Sequence, residues 1–182
     1  MILLFGPPGA GKSMQGQLLA AHNNWRWLSV GQLLRDAHDK EANVQMQEGK
    51  GVDYKTVYRI LIEALNKSKS VEHVIIDGFP RDLEQAEWLL AALPDHNRSI
   101  QAAIILNVPL EESQRRLKVR GRFDDERDVV EKRYYEFEGR NGSIIDYLKS
   151  RHVPVVEING SGSPEEVHHV INEELKRCMQ KQ

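Results

Sequence analysis

The segment Gly6-Pro-Pro-Gly-Ala-Gly-Lys-Ser13 follows the apolar run Ile2–Phe5 and precedes a helix-period stretch from about Met14 to His22. It satisfies G-x-x-x-x-G-K-[ST], and a strand before it with a helix after it is the setting in which that pattern cradles phosphate. The glycines let backbone N–H groups turn inward, and the helix N-terminus adds its positive dipole. Lys12 is expected to reach the outer phosphates and Ser13 to face a magnesium ion.

A strand–loop–helix unit of this kind asks for parallel neighbours, and the sequence supplies them. Val74–Ile76, Ala102–Leu106 and Val153–Ile158 are rich in Ile, Val and Leu with little alternation, as strands covered on both faces read. Trp25–Val30 is a fifth strand, interrupted by Arg26. Helical faces lie between them: Val57, Ile60, Leu61, Ala64 and Leu65, then Leu83, Ala86, Leu89, Leu90 and Leu93. Ser163-Pro-Glu-Glu166 opens a last helix with a capping box, and Val167, Val170, Ile171 and Leu175 form its buried stripe. The pattern predicts a three-layer α/β fold on a five-stranded parallel sheet, and 182 residues suit one domain.

Charge and cysteine content exclude several classes. Lys plus Arg is 25 and Asp plus Glu is 27, a net charge of −2, without the basic footprint of a nucleic-acid or membrane-surface partner. A single cysteine, Cys178, makes neither an internal disulfide nor a four-cysteine zinc site, so no zinc is expected. No apolar run approaches the roughly 20 residues that span a bilayer. Met1–Phe5 lacks the basic flank of a signal peptide, and a cytoplasmic location is expected.

Two further stretches carry chemistry. Val74-Ile-Ile-Asp-Gly-Phe-Pro-Arg81 puts Asp77 at the carboxyl end of a buried strand, where an acid can hold magnesium-bound water. Gly78 allows close approach to a ligand, and Arg81 offers a fork for phosphate oxygens. Gln85 has two readings, a capping partner reaching back to its helix start or a base-recognition residue. Arg35, about one turn into a helix, is either a solvated charge or a ligand contact. The stretch from Arg115 to Arg140 is dense in arginine. Arg116 and Arg120, with no acid between them at the four-residue spacing, are expected to converge unpaired on a polyanion. Asp124 or Asp125 either caps the next helix or holds Arg122 and Arg133.

Taken in order, the phosphate loop, Asp77-Gly-Phe-Pro-Arg81, Arg122-Phe-Asp-Asp125 with Arg133, and Ile158-Asn-Gly160 resemble the adenylate kinase family of nucleoside monophosphate kinases, from Met1 to about Leu175. The resemblance implies ATP + AMP ⇌ 2 ADP with Mg2+, held by Ser13 and Asp77 directly or through water. It implies an NMP-binding segment at about 29–53 and a lid at about 120–126. Gly9, Ala10, Gly11, Lys12, Ser13 and Met14 would wrap the ATP phosphates, Arg116 and the backbone around Gly162 would meet the ATP base, and Arg120 would approach ATP. Arg35, Arg81, Arg122 and Arg133 would clamp the acceptor phosphate, with Ser29, Val30, Val52, Gly78 and Gln85 around the acceptor. Lys12, Arg81, Arg120, Arg122 and Arg133 would carry the catalysis. A monomer is expected, although no residue pattern derives it.

The chain also departs from the family pattern. Ser13-Met14 stands where glycine-threonine is usual, Val30 replaces a threonine, and Gln32 replaces an acid. The stretch from Arg35 to Gly49 is several residues short, and Gly121 alone separates Arg120 from Arg122. A UMP/CMP-type kinase and a nucleotide-binding regulator with weak ATPase activity are the alternatives.

Overall fold

Every strand of the sheet is short and parallel to its neighbours. The computed structural model describes residues 1–37, 40–47, 51–120 and 125–180. Strands β1 (Ile2–Phe5), β2 (Arg26–Ser29), β3 (Val74–Asp77), β4 (Ala102–Asn107) and β5 (Val155–Asn159) lie in the order β2-β3-β1-β4-β5. All paired strands run parallel. The expected fold class is therefore what the chain adopts.

Helices cover both faces: α1 (Lys12–Asn23), α2 (Val30–Asp36), α3 (Lys40–Gln47), α4 (Tyr54–Lys67), α5 (Leu83–Ala92), α6 (Leu110–Arg120), α7 (Arg127–Ser150) and α8 (Pro164–Met179). Successive strand residues point to opposite faces, and the core divides accordingly. Leu3, Phe5, Ile76 and Ile105 pack under α4, α5 and α7, whereas Ile2, Leu4, Ile75 and Ile104 pack under α1 and α8. Because all strands run one way, their carboxyl ends form one edge, where ligands of such sheets bind.

Boundary differences have local causes. The second strand stops at Ser29 rather than Val30, because the Ser29 hydroxyl accepts the Gln32 N–H at 3.4 Å and starts α2. Arg26 is tolerated since β2 is an edge strand and the side chain is exposed. The last strand begins at Val155, not Val153, because the Val153 N–H is spent on Leu148 O at 3.0 Å, closing α7. The capping box of α8 forms in both directions. Val170 and Leu83 are exposed rather than buried, and Cys178 takes the inward place on α8. The polar stretch after Asp36 contains α3, and the arginine-dense stretch is mostly α6 and α7. Among the described residues, no helix is long and apolar enough to cross a membrane.

The helix behind the phosphate loop sits unusually close to the sheet. A Cβ on Gly16 of α1 would lie 2.3 Å from Trp27 Cδ1, so the indole occupies the space a side chain would need. Gly16→Ala gains up to about 1 kcal/mol of helix propensity but overpacks this contact, which costs about 1–3 kcal/mol. Urea unfolding is expected to show net destabilisation; a stabilised variant would contradict the packing.

Candidate active site

Chain direction alone brings the loop Gly6–Gly11, the end of β3 and the start of α2 to one edge of the sheet. The loop conformation is fixed by its own glycines and by α6. Gly9 has φ +77°, and a Cβ there would lie 2.7 Å from Ser113 O. The buried Ser113 hydroxyl donates to Pro8 O, clamping the loop from behind. Ser113 had no signal in the sequence, because its role is a contact across 105 positions.

Lys12 begins α1, and its ammonium curls back to donate to Gly6 O at 2.7 Å and Pro7 O at 2.8 Å. Burial pushes it down to about 8; Asp77 opposes that, while Arg133, Arg81 and Arg120 add to it. Ser13 Oγ donates to Asp77 Oδ2 at 2.7 Å, and Asp77 is buried at the end of β3. The cradle is thus a concentrated positive field beside one hydroxyl–carboxylate pair.

Two cavities open from this edge. The first is lined by Gly6, Gly9, Lys12, Ser13 and Asp77, and also by Ser29, Arg35 and Arg120. The second is lined by Val30, Leu34, Val52, Val57, Tyr54 and Gln85. Gly78, Arg81 and Arg133 line both, so the two share a cationic wall. Arg35 is half-buried with its Nη2 on Gln32 Oε1 at 3.1 Å, and it lines the first cavity. Arg81 Nε donates to Gly78 O at 3.1 Å.

Ala10, Gly11, Met14, Gly162 and Arg116 lie outside the lining of these cavities. Ala10 is buried, Gly11 caps α1, and Met14 is exposed. Gly162 sits in the exposed turn before α8. Arg116 and Arg120 are not unpaired. Glu112, four residues ahead of Arg116, accepts from both Arg115 and Arg116, and these bonds pull its carboxyl down to about 2. Arg120 donates through Nε to Asp125 Oδ2 at 2.8 Å. Asp125 therefore restrains Arg120, and the cap position of α7 falls to Glu126. Gly121, Arg122, Phe123 and Asp124 lie outside the described residues, as does Gly49.

Gln85 fulfils its capping reading. Asp82 caps α5 by accepting the Gln85 N–H at 2.9 Å, and Gln85 Oε1 reaches back to the Arg81 N–H at 2.8 Å. The same side chain lines the second cavity. Glu136 and Arg140 were not foreseen. At three and seven residues beyond Arg133 they share its face of α7, and both line both cavities. No motif marks them; only the helix period counted from Arg133 could have found them.

A cradle for a polyphosphate, a wall of arginines and a second pocket beyond it suit transfer of a phosphoryl group between two ligands meeting at the wall. Comparison with known proteins agrees. The adenylate kinase family model matches residues 4–153. An adenylate kinase of Maricaulis maris is 35% identical over 176 residues, covering 91% of this chain and 93% of that protein. One from Prochlorococcus marinus is 32% identical, covering 96% and 97%, and one from Mycobacterium leprae is 34% identical, covering 91% and 93%. The fold, the loop and these relatives agree in making this chain a member of the adenylate kinase family, an enzyme of the nucleoside monophosphate kinase class.

Proposed function

We propose that this enzyme interconverts ATP and AMP with two ADP, with the ATP polyphosphate in the first cavity and AMP extending from the shared wall into the second. The observation that carries this reading is the wall itself, where Arg81 and Arg133 line both the cavity that holds Lys12 and the one that holds Gln85. The chain is read as one domain, with the NMP-binding segment at about 29–53 and the lid at about 120–126. A monomer in the cytoplasm is proposed with the activity.

The residues needed for Mg2+ are of the right kind. Ser13 Oγ and Asp77 Oδ2 are hard oxygen donors 2.7 Å apart, and among the described residues no group of three His, Cys, Asp or Glu could form a protein cage. That suits a cation that keeps waters and binds mainly phosphate oxygens. When bound with ATP, Mg2+ supplies charge neutralisation at the β- and γ-phosphates. The protein does the rest by position. Lys12 exchanges two carbonyl contacts for phosphate oxygens, while Arg81 and Arg133 bring the acceptor phosphate into line and stabilise charge on the transferring group. Arg122, outside the described residues, is proposed as a further member of this clamp.

Lys12→Ala and Arg81→Ala are each expected to lower kcat/KM by on the order of 10²-fold or more. A coupled assay across AMP, GMP, CMP, UMP and dTMP measures this, with unfolding curves showing that each variant is folded. CMP or UMP outperforming AMP would favour the pyrimidine reading, and ATP hydrolysis without transfer would favour the regulator. Arg140→Ala is expected to raise KM for AMP several-fold, since Arg140 lies at the shared wall and forms no ion pair among the described residues.

The Lys12 ammonium gives a pH test. Its pKa of about 8 lies below the ordinary 10.5, so between these values the unfolded chain holds a proton the folded chain has released. Stability from this group therefore rises with pH across that window. An anion in the cradle restores the charge. Tripolyphosphate binding at pH 9 is expected to take up protons, seen as a dependence of calorimetric heat on the ionisation enthalpy of the buffer.

A further inference from the structure

Helices α4 and α5 both begin at the second cavity, and one hydrogen bond ties their starts together. Tyr54, the first residue of α4, donates its hydroxyl to Asp82 Oδ2 at 2.7 Å, and Asp82 is the cap of α5. Both residues are half-buried, and both line the second cavity but not the first. The other Asp82 oxygen accepts the Gln85 N–H at 2.9 Å, and Gln85 Oε1 accepts the Arg81 N–H at 2.8 Å. Tyr54 thus heads a chain of bonds that ends on the backbone of a wall arginine. The bond to Asp82, and then burial, push the Tyr54 pKa up to about 12, so at neutral pH the hydroxyl keeps the proton it donates. Further along, aromatic rings join the same two helices. Tyr58, one turn on from Tyr54, stacks on Trp88 with centroids 3.8 Å apart and planes 1° from parallel. That stack holds the helix bodies together and leaves their first turns, at the cavity, to the Tyr54–Asp82 bond.

We infer that Tyr54 is a positioning residue for the acceptor nucleotide. Through Asp82 it sets the span between Arg81 on the wall and Val52 and Val57 beside the start of α4, all of which line the second cavity. A nucleoside monophosphate has a fixed length from phosphate to base, so it fits only one such span. The inference rests on the second cavity being the acceptor site. A hydroxyl-to-carboxylate bond is stronger than one between neutral groups, and here it holds the span before any ligand arrives. Without it the start of α4 samples other spacings, and apparent affinity falls by the fraction of molecules that keep the competent one. Once the acceptor is seated, the wall and the cradle are as before. The loss therefore falls on KM for the acceptor and not on kcat.

The test is steady-state kinetics with AMP and ATP varied in turn, on variants whose unfolding curves show them folded. Tyr54→Phe keeps the ring and removes the bond; KM for AMP is expected to rise about tenfold, with kcat and KM for ATP within about twofold of the natural chain. Tyr58→Phe is the control, because the hydroxyl it removes is buried and has no hydrogen-bond partner; KM for AMP is expected to stay where it was. Asp82→Ser keeps a capping oxygen for α5 on a side chain too short to reach Tyr54, and is expected to raise KM for AMP by a similar factor. The double variant is expected to be no worse than either single one, since both remove the same bond. An unchanged KM for AMP in Tyr54→Phe, even with lowered stability, would overturn the inference, because a merely structural bond gives that result. Equal rises in both KM values, a loss confined to kcat, a rise in the Tyr58→Phe control or multiplying effects in the double variant would overturn it too. If Tyr54→Phe does not fold, Asp82→Ser decides by the same criteria. Absence of any turnover with AMP in the natural chain would instead bring down the reading of the site on which the inference rests.

Discussion

The ammonium of Lys12 sits among like charges. Its two direct contacts are backbone carbonyls, Arg81, Arg120 and Arg133 all press its pKa downward, and buried Asp77 is the opposing charge. Such an arrangement is unfavourable in itself, because charge withdrawn from water needs a partner. It persists because the frame around it is stiff. The parallel sheet fixes where β1 and β3 end, Ser113 clamps the loop through Pro8, and α1 is seated against Trp27 at Gly16. The polyphosphate is the missing counter-charge, and the fold holds the cradle ready for it.

The cationic wall is built from two helices approaching from different parts of the chain. Helix α5 begins there with Arg81 and Gln85 bound to one another, backbone N–H to side-chain carbonyl, and with Asp82 holding the turn. Arg81 on the shared wall and Gln85 in the second cavity are thus set by one capping arrangement. Helix α7 presents Arg133, Glu136 and Arg140 from the other side, and packs on α5 further along. Few of its residues are buried, with Val130 near its start and Ile144 and Leu148 near its end. Its middle turns place Arg133, Glu136 and Arg140 on the cavity walls.

The fold was legible in the sequence because strands covered on both faces need unbroken apolar runs, and because the phosphate loop can stand only between a strand and a helix. The second strand and its successor helix were blurred, since Val30 looks like strand and is placed in helix by the Ser29 cap. Much of the site was legible through fixed spacings around Asp77 and the loop. Pairing was harder to see. Glu112 lies at the four-residue spacing from Arg116 and was open to sequence reading, whereas Asp125 reaches Arg120 across five positions through a turn no periodicity predicts. Ser113 on the loop and Arg140 on the wall depend on tertiary approach alone.

The central claim is that the two cavities form one track, with phosphate transfer at the wall between them. A bisubstrate molecule with two adenosines joined 5′ to 5′ by five phosphates would span that track as a single ligand. Its dissociation constant, measured by calorimetry beside those of ATP and AMP, is the most direct test. The account predicts one molecule bound per chain, at least 10²-fold more tightly than either nucleotide alone and in competition with both, because linking the two ligands makes the second binding event intramolecular. Binding no tighter than ATP, with AMP still able to bind, would mean that the cavities do not meet at the wall.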